Sequence, residues 1–440
     1  MSRPITLTTL LTLALLLTTV TRAEPADDEF EKLEALYLHL HRNPELSFKE
    51  TQSAARMADE LEQLGFQVTR NFGGTGVVAV LENGPGPTVL VRADMDALPV
   101  PEQTGLPYAS VAVGVSIDGE EKPVMHACGH DVHMTVLIGT AGRLARDRAG
   151  WRGTLIMIAQ PAEERGAGAK AMLDAGLFSK YPRPDYNLAL HVSAGLPAGQ
   201  IGYVAGAALA NVDSVDITVY GVGGHGAYPH ATKDPVVLSA EIVMALQTIV
   251  SRELSPLEPA VLTVGSIHGG FKHNVIPDEV KMQLTLRSYT AEVRQQMIAA
   301  IRRIVANLAA AAGVSKDKLP LVEVKDEFTP VAYNDPELTE RMAALFRNEI
   351  GNDNVIESSP VMGGEDFGRY GQVEPKIPSM IYWLGAVDRT KYAASKTGGD
   401  PLPSLHSPFF APEYAPTIRT GVTAMTSAVL DLMPVGQGAQ

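Results

Sequence analysis

Five short apolar runs, at residues 76–81, 88–92, 154–159, 187–190 and 378–384, show no alternation of polar and apolar side chains. Nothing else constrains the fold as strongly. A strand with one wet face alternates, whereas a strand buried on both faces does not, and helices covering a parallel sheet create that second environment. Segments with apolar residues every three or four positions separate the runs, at 28–40, 49–64, 132–145, 167–174, 336–350 and 413–432. This is the helical period, and Gly65, Gly176 and Gly351 stand just past three of the predicted ends, where a left-handed residue closes a helix. Such alternation of strand and helix predicts an α/β fold, a mostly parallel sheet sandwiched by helices.

Residues 203–325 follow a different rule. Val215, Ile217 and Val219 alternate with Ser214, Asp216 and Thr218, so this strand has one dry face and one wet face. A helix at 235–251, strands at 260–267 and 279–287, a helix at 291–312 and a strand at 319–324 complete a βαββαβ order. That order suits an antiparallel sheet with both helices on one face. The predicted organisation is a discontinuous α/β domain, residues 24–202 and 326–440, interrupted by an inserted domain at 203–325.

At the N-terminus, Arg3 is followed by an apolar run at 7–20 and then by Thr21, Arg22 and Ala23 before an acidic stretch. The run is shorter than the ~20 residues of a membrane span, and its flanks are those of an export signal at 1–23. Cleavage after Ala23 sends the protein to the periplasm or out of the cell; retention as an N-terminal anchor is the other reading. No later segment is long and charge-free enough to span, so no membrane partner is expected after cleavage. A formal net charge of -14 and a pI near 5.3 oppose the basic footprint that nucleic acid requires. Hydrophobic residues at 45% and charged residues at 20% fit large cores and exclude disordered and fibrous classes.

The chain has one cysteine, Cys128, with His126 and His130 two residues to either side and His133 close behind. An exported chain with a single cysteine has no internal disulfide to make, so the thiol needs another purpose. A thiolate two residues from an imidazole can hold a borderline-soft divalent ion such as zinc, and the adjacent Glu163 and Glu164 offer one ligand and one base. Asp94 and Asp96 end one predicted strand, Glu163 and Glu164 follow another, and His191 closes a third. Ligands collect at the carboxyl edge of open α/β sheets, so this placement points to a single site. Taken alone, Asp131 reads as a helix cap and the glutamate pair as a solvated acidic turn.

Eight motifs occur in order: His-Arg-Asn-Pro-Glu-Leu-Ser at 41–47, Arg-Ala-Asp-Met-Asp-Ala-Leu-Pro at 92–99, His-Ala-Cys-Gly-His-Asp at 126–131, Gln-Pro-Ala-Glu-Glu at 160–164, Gly-Gly-His-Gly-Ala-Tyr-Pro-His at 223–230, Asn-Val-Ile-Pro at 274–277, Gly-Gly-Glu-Asp-Phe at 363–367 and Leu-His-Ser-Pro at 405–408. This set resembles the metal-dependent amidohydrolases and peptidases that include aminoacylase, glutamate-releasing carboxypeptidases, hippurate hydrolase and indole-acetyl-amino-acid hydrolases, most of all the last two. The resemblance implies Cys128, His130, Glu164, His191 and His406 as ligands for one or two divalent ions, with zinc, manganese, cobalt and nickel all open. It implies Glu163 as the catalytic base and Asp96 as a carboxylate that orients a ligating imidazole. Where the family usually has His-x-Asp, this chain has Asp94, Met95 and Asp96, so Asp94 stays outside the ligand set and Cys128 takes over.

By the same resemblance, the inserted domain is a lid and dimerisation unit. His225, in its glycine-rich stretch, would polarise the scissile carbonyl across a homodimer, and Asn274 and Arg287 would hold a substrate α-carboxylate. Residues 363–367 would shape an acyl pocket. The function expected is hydrolysis of the amide bond of an N-acyl amino acid, hippurate-like or another conjugate, by a metal-activated water with Glu163 as general base. A carboxypeptidase or dipeptidase would use the same groups. An exported binding protein without catalysis is the alternative from another class.

Overall fold

All five unalternated runs become interior strands of one sheet. The computed structural model describes residues 27–117 and 119–435, so the predicted export signal lies outside the described residues. In chain order the strands used below are β1 (Gln67–Thr69), β2 (Val77–Asn83), β3 (Thr88–Asp94), β4 (Gly153–Gln160), β5 (Tyr186–Pro197), β6 (Ile201–Tyr203), β7 (Asn211–Tyr220), β8 (Ala260–Gly269), β9 (Glu279–Ser288), β10 (Leu321–Val324), β11 (Val355–Glu357) and β12 (Ser379–Val387). The larger sheet has the order β1-β2-β4-β3-β5-β12-β6-β11. Its centre, β4, β3, β5 and β12, is parallel, with antiparallel additions on either side.

Burial on both faces explains the missing alternation. Val89, Val91, Leu155, Met157, Leu188 and Leu190 pack under the helices Asp27–Arg42, Thr51–Gln63, His130–Arg146 and Tyr414–Leu432. Their neighbours Leu90, Ile156, Ile158 and Ala189 face the opposite core, with Met172 and Phe367. The helix His130–Arg146 is buried along almost its whole length, which fixes its first residue at the carboxyl edge of the sheet. The expected α/β sandwich is therefore present.

The inserted segment forms an antiparallel sheet of order β8-β9-β7-β10. Val215, Ile217, Val219, Met282 and Leu284 meet Leu238, Ile242 and Leu246 of the helix Pro235–Thr248 and Met297 and Ile301 of the helix Ala291–Ala311. Both helices thus lie on the dry face. The wet face carries Ser214, Asp216, Gln283 and Arg287, none of them buried.

Two expectations need correction. β5 does not close at His191 but continues to Pro197, because its partner β12 pairs with it in one register through Gly385 and Ser193 and again, after a bulge, at Val387 and Pro197. The helix Pro235–Thr248 with its π-helical extension Ile249–Glu253, 19 residues in all, is long and apolar enough to cross a membrane by length and composition, contrary to the sequence expectation. Its apolarity has a local reason on one side, where Leu238, Ile242, Leu246 and Ile249 enter the core, while Val236, Val237 and Met244 are exposed on the other.

Candidate metal centre

Three tight backbone turns bring the chemistry together. Gly129, between Cys128 and the helix, sits at φ 78°, and a Cβ there would lie 2.5 Å from Val192 Cγ2. Glycine meets both demands, so the cysteine turn closes directly onto β5. Ala162 (φ 49°) and His406 (φ 66°) hold the left-handed region without being glycine. Such conformations persist where surrounding contacts impose them. The Ala162 N–H donates to Glu50 Oε1 at 2.9 Å, and the His406 N–H donates to the Ala127 carbonyl at 2.9 Å, tying His406 to the cysteine turn.

Asp96 organises the glutamates. Its carboxylate oxygens accept the N–H groups of Glu163 (3.0 Å) and Glu164 (3.1 Å) and the Ser47 hydroxyl (2.6 Å). The His130 ring instead donates from Nδ1 to the Asp96 carbonyl at 2.7 Å, with the carboxylate 3.5 Å away. The backbone carbonyl of Asp96 is thus the nearer partner of this imidazole, with the carboxylate beside it. The short 3₁₀ turn Glu163–Arg165 leaves its leading N–H groups without partners inside the turn, and they take the carboxylate.

Hydrogen bonds on the far side of each ring assign the tautomers. His130 Nδ1–H donates to Asp96 O and His191 Nδ1–H donates to Val192 O at 2.8 Å, so each keeps a lone pair on Nε2. His191 Nε2 lies 3.5 Å and His406 Nε2 3.3 Å from Cys128 Sγ, and His406 Nε2 is 3.5 Å from Glu164 Oε2. Donor atoms of Cys128, His130 and His191 fall within 4.8 Å of one another, as do those of Cys128, Glu164 and His406, and those of His130, Glu163 and Glu164. Cys128 is common to the first two groups.

These residues fit a divalent ion. His130 Nε2 and Glu164 Oε1 are buried without a hydrogen-bond partner, though both belong to the donor groups. Asp94, Asp96, Glu163, Glu365 and Asp366 are all buried, with the single guanidinium of Arg92 among them. Buried carboxylates in such excess must either take up protons or share a further cation. The proton affinities report the same imbalance. Burial, then Glu365 and Glu164, pushes the Glu163 carboxyl well above its ordinary value. Burial also raises Glu164, to about 7, against the opposing pull of His130. Burial raises the Cys128 thiol, and Glu164 and Glu163 add to it. His130 would be lowered by burial alone, but Asp94 and Asp96 lift it to about 10. Soft sulfur, imidazole and carboxylate donors together suit zinc and its first-row neighbours.

Sequence reasoning counted His133 with the cysteine and quoted Arg92 within a motif, but assigned neither a supporting role. His133 Nδ1–H donates to Asp94 Oδ1 at 2.6 Å, and its Nε2 accepts the Val192 N–H at 2.9 Å. Asp94, His130 and His133 lie close enough to share an ion, but both His133 nitrogens are already used, so it acts as a strut between β3 and β5. Its spacing of one turn from His130 was the available signal. Arg92 donates to Asp94 Oδ2 (2.6 Å), Glu365 Oε1 (2.8 Å) and Asp366 Oδ1 (3.2 Å), so part of the 363–367 stretch serves this buried cluster. His126, counted with the cysteine on sequence, is buried, belongs to none of the donor groups, and is held near pKa 4 by burial.

A cavity of about 1080 Å³ adjoins the centre, lined by Cys128, Glu163, Glu164, His191 and His406 and, from the inserted sheet, by Arg287. Arg287 Nε–H donates to Thr285 Oγ1 at 3.1 Å, and no carboxylate among the described residues pairs with it. His225 and Asn274 do not line this cavity. His225 is exposed on a two-stranded ribbon, Gly224–His225 against Val275–Ile276, and Gly226 N–H donates to the Asn274 carbonyl at 2.9 Å. The chain brings neither residue to its own cavity.

Residues 90–398 match the family described as peptidase family M20/M25/M40. Thermostable carboxypeptidase 2 of Saccharolobus solfataricus is 37% identical over 356 residues, 80% of this chain and 85% of that protein. N-acetyldiaminopimelate deacetylase of Leuconostoc mesenteroides is 36% identical over 377 residues, 84% and 93% of the two chains. Among solved structures, the Bacillus subtilis YXEP protein, described as a dinuclear metal binding peptidase from the M20 family, gives a TM-score of 0.73 at 29% identity, covering 93% of this chain and 100% of that one. Sequence match, sheet topology and a buried sulfur–imidazole–carboxylate centre agree: the chain belongs to peptidase family M20/M25/M40 and is a metal-dependent hydrolase of amide bonds.

Proposed function

We propose that this enzyme releases the acyl group of an N-acyl amino acid. One observation carries the reading: Arg287, without a carboxylate partner among the described residues, lines the same cavity as Glu163 and the donor set. A substrate with a free carboxylate beside its scissile amide satisfies both ends. Cys128, His130, Glu164, His191 and His406 would hold one or two divalent ions, with zinc, manganese, cobalt and nickel compatible. A bound ion supplies Lewis acidity toward the carbonyl and lowers the pKa of water. Glu163, whose proton affinity burial has raised, takes a proton from the attacking water and returns it to the leaving amine.

A peptide also ends in a carboxylate, so carboxypeptidase or dipeptidase activity is the second reading, and the name of the Saccharolobus relative favours it. The deacetylase name of the Leuconostoc relative favours the first. His225 lies outside its own chain's cavity and Val236, Val237 and Met244 are exposed, which supports a homodimer in which the partner supplies the histidine. The segment 1–23 supports export to the periplasm or beyond, and a mature N-terminus at Glu24 would establish it.

The purified enzyme should release glycine from hippurate or from an acetyl or longer acyl conjugate, lose that activity to a chelator, and regain it with a divalent ion. Glu163→Gln should lower kcat about 10³-fold while metal content by atomic spectroscopy is unchanged. Cleavage of dipeptides alone would establish the second reading, and binding without any cleavage would leave a non-catalytic receptor.

A further inference from the structure

The hairpin that runs straight into the cysteine turn has no part in the chemistry above. Val113–Val115 pairs antiparallel with Glu121–Pro123. Its foot is pinned: the Ser110 hydroxyl donates to Val124 O at 2.8 Å, Val124 N–H donates to Ala112 O at 3.0 Å, and Leu98 and Met125 exchange backbone hydrogen bonds at 3.0 and 3.1 Å. Beneath it Leu46, Ala97 and Val124 form a small apolar cluster. A foot held in this way keeps the arm at a set position relative to Cys128, three residues beyond Met125.

The arm breaks the usual rule for exposed strands. Val111, Val113, Val115 and Ile117 are 92%, 63%, 53% and 76% exposed. Val111, Val113 and Val115 are spaced by two, so they share one face of extended chain for about 13 Å. Ile117 follows at the turn and lines the same cavity as Cys128, Glu163 and Arg287. That cavity, about 1080 Å³, lies at the top of the range for small-molecule sites. Leu402 and Leu405 add apolar lining next to His406. A row of exposed aliphatic side chains whose member at the turn, Ile117, lines the catalytic cavity, and which runs from there back along the arm, complements a flexible hydrocarbon tail.

We propose that the acyl group of the substrate is long and aliphatic, its first carbons against Ile117 and the remainder along Val115, Val113 and Val111, so that the enzyme is selective for N-fatty-acyl amino acids. The proposal rests on the N-acyl-amino-acid reading of the site. It is tested with acetyl-, hexanoyl- and dodecanoyl-glycine below their micelle concentrations, on metal-loaded wild type, Ile117→Ser and Val113→Ser. Wild-type kcat/KM should rise along the series. Ile117→Ser should cut the hexanoyl-to-acetyl ratio about tenfold, and Val113→Ser should cut the dodecanoyl-to-hexanoyl ratio about tenfold while sparing hexanoyl-to-acetyl. Equal losses across the series, or ratios that do not move, would overturn it. So would a Val113→Ser protein that sediments as a smaller species with its chain-length preference intact, which would assign the strip to a protein partner. Failure of the underlying reading looks different: wild type would cleave dipeptides such as Leu-Gly and none of the acyl-glycines.

Discussion

His41 shows how a single residue stabilises the ground beneath the centre. It is 1% exposed, yet Nδ1 lies 2.7 Å from Asp131 Oδ2 and Nε2 lies 3.3 Å from Glu102 Oε1. Burial alone would lower its pKa, but hydrogen bonds to Asp131 and Glu102 raise it to about 9. An unfolded histidine titrates near 6.5, so the raised folded value contributes stability that is complete below about pH 6.5 and is lost as pH climbs to about 9. The expected loss is on the order of 3 kcal/mol, and His41→Gln should lack it. Urea unfolding of both proteins at the two pH values measures the difference; parallel decline would remove the account. At this scale the sequence was legible wherever chemistry is local. Cys128, His130 and the Glu163–Glu164 pair stood out by spacing, whereas Arg92 and Glu365 meet across 273 positions and no local pattern announces such a pair.

Between elements, the same Arg92 works as a cross-link. It joins β3 to the segment that holds Glu365 and Asp366 and leads into the short helix Gly368–Gly371. Arg92→Met, close in volume, removes the charge and leaves three carboxylates without it. The protein should lose about 3–5 kcal/mol in denaturant unfolding, and adding Glu365→Gln should recover part of that loss. A change below 1 kcal/mol would mean that solvent already reaches the cluster. The long elements were readable because each repeats its period several times, so the helix at 336–350 matches Pro336–Ile350. The strands β1, β6 and β11 span three residues each and carry too little pattern to register. The alternating β7 was legible for the opposite reason: its wet face is real.

Across the whole molecule, the position of His225 yields a test of assembly. If the partner supplies this histidine, a mixed dimer of His225→Ala and Glu163→Gln subunits has one competent site, because the first subunit keeps its glutamate and receives an intact histidine. Random coexpression should then restore about a quarter of wild-type activity, since half the dimers are mixed and each has one working site of two. No recovery would mean that His225 serves its own chain.

Cys128, the sole sulfhydryl in 440 residues, is buried against two rings. After brief exposure to a small alkylating reagent, the intact mass of each molecule therefore carries one adduct or none. The labelled fraction reports how many molecules in a preparation present that sulfur to solvent unshielded by an ion.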